Sequence, residues 1–222
     1  MTYTHVIWDW NGTLLDDLAR AMDCINGVLT PRGLPPLASV EAYRAVFGFP
    51  IIDYYRRAGF TFETEPFEIP AKEYIAKYHS ADGIPPALFC DAVPALEAFR
   101  AAGLRQVILT ASERDNLLAQ LLPFGIEGYF DELLGLTDIY AAGKEDIGKA
   151  FMARNPGIRA VLIGDTAHDA EVAHAIGADC ILVPRGHHGT ETLRECGVPL
   201  AADLLAAVSV ITGQSPASTA DE

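Results

Sequence analysis

Short apolar runs alternating with helical periods limit this chain to few architectures. Residues 5–9 (HVIWD), 106–110 (QVILT), 160–164 (AVLIG) and 180–183 (CILV) are aliphatic or β-branched, and each is too short for a buried helix. A weaker run lies at 132–134 (ELL). Helical spacing is predicted over 94–102, 113–122, 144–153 and 168–176, and again near 190–196 and 201–211. Strands separated by helices join through right-handed crossovers, so the expected fold is α/β, a parallel sheet with helices on both faces.

The first strand is not followed at once by the second. From Asp17, apolar residues fall at Leu18, Ala21, Met22, Ile25, Val28 and Leu29, a helical spacing that Pro31 and Gly33 end. Further helices are predicted over 39–46, 50–58 and 71–80. Residues 16–90 are therefore expected to be an all-helical insert in an α/β core made of 1–15 and 91–212. The polar segment 213–222 is expected to be a disordered tail. Of the 30 acidic residues in the chain, the insert holds 10 against 7 Lys and Arg, and the remainder holds 20 against 9. The carboxylates concentrate outside the insert.

Net charge −14 and a pI near 4.7 exclude a generic nucleic-acid or anionic-membrane binder, because both partners demand basic surface. No apolar run approaches the roughly 20 residues of a membrane span. The start, MTYTHVIWDWNGT, does not read as a signal peptide. Cys24, Cys90, Cys180 and Cys196 lack CxxC spacing, so reduced thiols and a cytoplasmic location are expected.

Ligands of open parallel sheets bind at the carboxyl ends of the strands. Three such ends are polar here: Asp9 with Asn11-Gly12-Thr13, Thr110 with Ser112, and Gly164-Asp165-Thr166 with Asp169 four residues after Asp165. Lys144 opens the helix before the third. Converging carboxylates repel one another unless a cation sits among them, and an oxygen-only set without His or Cys favours Mg²⁺. Lysine, hydroxyls and a glycine that admits close backbone approach suit a phosphate group.

These residues carry a resemblance. Asp9-Trp10-Asn11-Gly12-Thr13-Leu14, Leu109-Thr110, Lys144 and Gly164-Asp165-Thr166-x-x-Asp169 resemble, in order and rough spacing, the four motifs of the haloacid dehalogenase-like (HAD) hydrolase superfamily. The resemblance covers nearly the whole chain and is nearest to the phosphoglycolate phosphatase-like branch. It implies a Rossmannoid core of five parallel strands with the first in the middle, and a small helical cap after that strand. It implies a Mg²⁺-dependent hydrolase of small phosphorylated metabolites acting through an aspartyl-phosphate. Asp9 would be the nucleophile and a metal ligand, the Asn11 carbonyl a second ligand, and Asp165 and Asp169 the remaining ones. Thr110 and Lys144 would bind the phosphoryl group, with Gly12 and Ser112 beside it.

Position 11 departs from the pattern. Phosphatases of the family have Asp there, to protonate the leaving oxygen and then activate water; an amide does neither. Acid–base catalysis of that kind supplies about 10²–10⁴-fold. The departure keeps two alternatives open, a weakened protein that binds a phosphorylated ligand or partner, and another HAD hydrolase chemistry. Related C–P hydrolases use a cap lysine, but 47–51 (FGFPI) has none, and the cap's Lys72 and Lys77 lie far beyond. Dehalogenation needs no metal, and the Asp165/Asp169 pair argues against it. Outside the motifs, His187-His188 read as a surface loop, and His168 as a helix-start residue near the site. Phe47, Phe49, Tyr54, Tyr55, Phe60 and Phe62 read as cap packing. Arg44, Arg56 and Arg57 read as solvated helix face, with Arg44 the candidate substrate contact, since an anionic substrate needs positive charge from the cap.

Overall fold

The first strand forms the middle of the molecule. In the computed structural model, which describes residues 2–136 and 143–213, β1 (His5–Trp8) is buried at all four positions. The chain continues through β2 (Leu15–Asp16), α1 (Leu18–Leu29), α2 (Val40–Val46), α3 (Ile51–Arg57), α4 (Glu68–Tyr78) and β3 (Ala87–Leu88). Then come α5 (Ala92–Ala101), β4 (Arg105–Glu113), α6 (Arg114–Leu121), β5 (Glu132–Leu136), α7 (Lys144–Arg154), β6 (Ala160–Gly164), α8 (Ala167–Ile176), β7 (Asp179–Leu182), α9 (Thr190–Arg194) and α10 (Leu204–Thr212). Five strands form one parallel sheet in the order β5-β4-β1-β6-β7, with Ile7 opposite Val107 on one side and Leu162 on the other. Of the tail expected over 213–222, Gly213 caps the end of α10 and 214–222 lie outside the described residues.

Strand pleating explains the layers. Alternate residues point to opposite faces, so Val6 and Trp8 pack with Leu96 and Phe99 of α5 and with Leu204 and Ala207 of α10. Ile7 points the other way, with Val107, Leu109 and Leu162, against Phe151 of α7 and Val172 and Ile176 of α8. Each such aliphatic side chain contributes roughly 1.5–3 kcal/mol on burial. Trp8 and Gln106 satisfy their polar atoms inside this core: the indole N–H donates to Gln106 Oε1 at 3.0 Å, and the Gln106 amide donates to the Leu96 carbonyl at 2.9 Å.

The insert has its own apolar centre, where Ala21, Ile25, Val28 and Leu29 of α1 meet Tyr43, Tyr54, Tyr55 and Phe60. Residues 16–90 are not all-helical, however. β2 and β3 pair antiparallel, Leu15 opposite Leu88, so the outgoing and returning strands of the insert run side by side at its base. Two-residue strands show no period-two pattern, which hid them in the sequence. Helix α4 begins three residues earlier than its periodicity indicates, because Pro70 is tolerated in a first turn. Helix α10 begins later, at the position Asp203 caps by accepting the Ala206 N–H at 2.7 Å. Among the described residues no helix is long and apolar enough to cross a membrane.

Candidate active site

The carboxyl ends of β1, β4 and β6 converge under the insert, beside a cavity of about 390 Å³. Strand β1 carries Asp9 just past its end, where the Asp9 N–H still bonds the Ile163 carbonyl at 2.9 Å. Helix α7 starts at Lys144, whose ammonium is buried, 2.6 Å from Asp9 Oδ1 and 2.5 Å from Asp169 Oδ1. It is a bridging cation rather than a solvated helix-start lysine. Asp169 lies in the first turn of α8 and forms a capping box with Thr166, accepting the Thr166 N–H at 3.0 Å and its hydroxyl at 2.6 Å. Asp165 accepts the His187 N–H at 2.6 Å, and the Thr13 hydroxyl lies 3.2 Å from both Asp165 Oδ1 and Asp9 Oδ2.

Two glycines make this packing possible. Gly12 has φ +77°, and a Cβ there would stand 2.3 Å from Asp165 Oδ2. A Cβ on Gly186 would stand 2.1 Å from the same oxygen. Any side chain at either position displaces the carboxylate.

Asp9, Asp165 and Asp169 bring carboxylate oxygens within 4.8 Å of one another. Burial raises the Asp9 carboxyl to about 6, although Lys144 pulls the other way. Burial pushes Asp165 well above the carboxylate range, against the opposing pull of His187. Asp169 is also buried, yet Lys144 and Thr166 hold it below its ordinary value. Lys144 thus bridges two of the three carboxylates, and Asp165 has only His187, itself paired with Asp17, against it. The donor set, oxygen only and crowded, fits a hard divalent cation.

Thr110 and Ser112 do not sit beyond a strand end, because β4 runs on to Glu113 through a register shift after Leu109. Both line the cavity. The Ser112 N–H donates to Thr110 Oγ1 at 3.1 Å, and the Ser112 hydroxyl donates to Asn11 Oδ1 at 3.2 Å.

The Asn11 amide is fully engaged. Its Nδ2 donates to Tyr78 Oη at 2.7 Å and Asp17 Oδ2 at 3.1 Å. Tyr78 donates to the same Asp17 oxygen at 2.6 Å, and His187 Nε2 lies 3.1 Å from Asp17 Oδ1. The other ring nitrogen of His187 is 2.9 Å from Tyr43 Oη. Burial opposes charge on this pair, but each partner outweighs it: Asp17 raises His187 to about 9, and His187 with Tyr78 and Asn11 holds Asp17 below its usual value. His187 and His188 are therefore buried and not a surface loop. No sequence pattern marks Asp17 as a site residue either. It occupies the N-cap position of α1 but makes no side-chain cap bond, since its carboxylate turns into the site. Tyr78 is held over the site by Arg20, a buried cation of α1 that donates to the Lys77 carbonyl at 2.7 Å and the Tyr78 carbonyl at 3.1 Å.

The insert supplies the opposite wall. Phe47 stacks on His187 with centroids 4.9 Å apart, and Phe49 stacks on His168 at 4.5 Å. Phe47 and Phe49 are thus cavity wall, whereas Tyr54, Tyr55 and Phe60 are packing as expected. His168 lies at the start of α8 and lines the cavity. Arg44 is not part of the wall. Its guanidinium donates to the Gly186 carbonyl at 2.7 and 2.9 Å and to that of Arg185 at 2.8 Å, so it fastens α2 to the loop after β7.

The haloacid dehalogenase-like hydrolase family model matches residues 6–183. The chain is 28% identical over 186 residues to the tyrosine-protein kinase PtkA of Mycobacterium tuberculosis, covering 82% of this chain and 62% of the kinase. It therefore spans less than two thirds of that protein's length. It is 26% identical over 190 residues to the phosphoglycolate phosphatase of Caulobacter vibrioides, covering 82% of this chain and 79% of that one. Its fold is similar to that of a haloacid dehalogenase-like hydrolase from Streptococcus pneumoniae, with TM-score 0.80 at 18% identity, covering 94% of this chain and 98% of the other. With its carboxylates, lysine and hydroxyls gathered at the strand ends that the motifs occupy, this chain belongs to the haloacid dehalogenase-like hydrolase family.

Proposed function

We propose that the chain is a Mg²⁺-dependent phosphatase of small phosphate monoesters that works through an aspartyl-phosphate on Asp9. The observation that carries this reading is the setting of the Asp9 carboxylate. One oxygen is held by Lys144 at 2.6 Å and the other lies 3.2 Å from the Thr13 hydroxyl, and Asp9 lines a cavity that Thr110, Ser112 and Asp169 also line. In this reading Asp9, Asp165, Asp169 and the Asn11 backbone carbonyl hold the metal, which neutralises charge on the phosphate and the carboxylates. Asp9 attacks phosphorus. Lys144 and the Thr110 hydroxyl bind the phosphoryl oxygens, with Ser112 and the close approach permitted at Gly12 completing the cradle. The aromatic wall excludes water and selects the organic group.

Inorganic phosphate release from activated phosphate esters, with and without Mg²⁺, tests this reading. Release should require the metal and vanish in Asp9→Asn. Equal release from wild type and Asp9→Asn overturns it. A second reading, a fold that binds a phosphorylated ligand without fast turnover, is favoured by one observation: the Asn11 side chain is locked to Asp17, Tyr78 and Ser112 and has no proton to exchange. Stoichiometric ligand binding with no release from any ester distinguishes it.

A further inference from the structure

The phosphate side and the leaving-group side of the cavity differ in kind. Phe47, Phe49, Ile51, Tyr74 and Ile75 make up much of the wall facing the carboxylates. Three of them stay open to water at the mouth, Phe49 and Ile51 at 37% and Ile75 at 51% exposure, while Tyr54, Tyr55 and Phe60 bury themselves in the insert. Large apolar side chains left wet around one opening mark a surface that a ligand covers.

Positive charge is missing from that wall. All 16 Lys and Arg of the chain lie among the described residues, and Lys144 alone of them lines the cavity. It is already bridged to Asp9 and Asp169. Three cap cations are committed elsewhere: Arg44 to the Arg185 and Gly186 carbonyls, Arg20 to the end of α4, and Arg57 to the Val46 carbonyl at 2.7 Å. Of the lining histidines, His187 pairs with Asp17, His168 Nδ1 lies 3.2 Å from Glu171, and burial favours the neutral form of His79. A leaving group with its own carboxylate, such as glycolate, would meet no lysine or arginine here.

Asn11 adds an independent constraint. Without an acid at that position, the departing oxygen must leave largely as an anion. A phenol, with a pKa of about 10, does so far more readily than an alkanol, whose acidity is close to that of water at about 15.7.

Together these features point to one substrate class. We propose that this site takes phosphate monoesters of phenol-type hydroxyls, the ring of the leaving group seated against Phe49, Ile51 and Ile75. The inference rests on the phosphatase reading above. An Asp9 oxygen forms its bond to phosphorus as the bond from phosphorus to the aryl oxygen breaks. The electron pair stays on the phenolate, which takes a proton from solvent after release. Water then attacks the aspartyl-phosphate, restoring the carboxylate and releasing inorganic phosphate. The sum is one ester and one water giving one phenol and one phosphate.

The experiment compares phenyl phosphate, acetyl phosphate and phosphoglycolate on the full chain with Mg²⁺. Acetyl phosphate has a good leaving group and no ring, so it separates leaving-group acidity from ring recognition. We expect kcat/KM for phenyl phosphate to exceed that for phosphoglycolate by about 10²-fold or more, the scale of the missing acid. Phe49→Ala and Ile75→Ala change exposed side chains, and thermal melts check that both variants fold. Each should lower the phenyl-to-acetyl phosphate ratio of kcat/KM, by about tenfold at Phe49, on the scale of one aromatic contact. Phosphoglycolate turned over as well as phenyl phosphate overturns the substrate class. A ratio unmoved by both variants overturns the ring seat. No release from any of the three, acetyl phosphate included, defeats the phosphatase reading and this inference with it.

Discussion

The two walls of the cavity are built on opposite principles. The strand-end wall is polar, buried and closed, with the carboxylates of Asp9, Asp165 and Asp169 each held by named donors. The cap wall is mostly aromatic and partly wet; Phe47 stacks on His187 and Phe49 on His168, and the hydroxyls of Tyr43 and Tyr78 bond the core. Hydrogen bonds fix position closely but tolerate little substitution, whereas ring contacts fix an approximate shape and leave room for change. The polar wall is thus suited to chemistry common to many substrates, and the apolar wall to choosing among them.

The largest expected effect falls on the polar wall. Asp9→Asn keeps the shape and removes the attacking charge, so phosphate release should drop to background while the thermal melt stays cooperative. Persistent turnover would transfer the nucleophile to another group and dissolve the division between the walls.

Next is the pH dependence of the metal-free protein. His187 is raised from 6.5 to about 9, so its pairing with Asp17 stabilises the fold fully below pH 6.5 and is lost as pH rises through 9. That is on the order of 3 kcal/mol. Asp9 acts in the same direction at lower pH, because a carboxyl raised from 3.8 to about 6 withdraws stability as pH climbs between those values. Denaturant midpoints in a chelator should fall from pH 6.5 to 9, and His187→Asn should flatten that fall. An unchanged slope in the variant would show that the pair is not the source.

Mg²⁺ should offset the crowding of carboxylates. At a hundred times its Kd it raises stability by about 2.7 kcal/mol, read as a higher Tm. Asp165→Asn combined with Asp169→Asn should remove the response. An equal shift in both proteins would put the metal elsewhere.

Asn11→Asp sharpens the comparison at its seam. A carboxylate there would face Asp17, which now accepts from the Asn11 amide at 3.1 Å, so the single change should lower Tm while favouring a protonated acid. Turnover of alkyl phosphates should rise by up to about 10²-fold, with little gain for aryl phosphates. Adding Asp17→Asn relieves that repulsion but also removes the partner of His187, so the double variant should stay below wild type in Tm near neutral pH. Fresh protein with position 11 verified by peptide mass is needed, because an Asn-Gly pair deamidates. No alkyl-selective gain in a folded, Mg²⁺-responsive variant favours the binding reading.

The smallest effect concerns Arg44. Arg44→Ala removes charge-assisted bonds to two carbonyls and should cost about 1–2 kcal/mol. Because the guanidinium lies off the cavity wall, KM should shift alike for all substrates. A selective loss for anionic leaving groups would restore the substrate contact expected from the sequence.

Legibility followed the same division. Asp9, Asp165 and Asp169 are legible because strand ends read as short β-branched runs with polar residues just after them, and Thr110 and Lys144, inside β4 and at the start of α7, because they complete a motif order. The partners of those residues did not stand out. Asp17 reads only as the start of a helical period, Tyr78 carries no signal, and His187 reads as a surface loop, because each acquires its role from a neighbour 61 to 170 residues away. The partners of Arg44 are illegible for the same reason, since net charge tells how many cations exist and not which carbonyls they face.

The sequence by itself determined the parallel sheet, the place of the insert and the carboxylate cluster, because these follow from local periodicity and from residues fixed to strand ends. Only the tertiary structure decided what surrounds them. It made Asn11 a locked amide, buried His187 against Asp17, turned Arg44 onto the backbone and left Phe49, Ile51 and Ile75 at the mouth. Those outcomes depend on how the insert docks over the sheet, and docking is set by contacts between distant segments that no local pattern encodes.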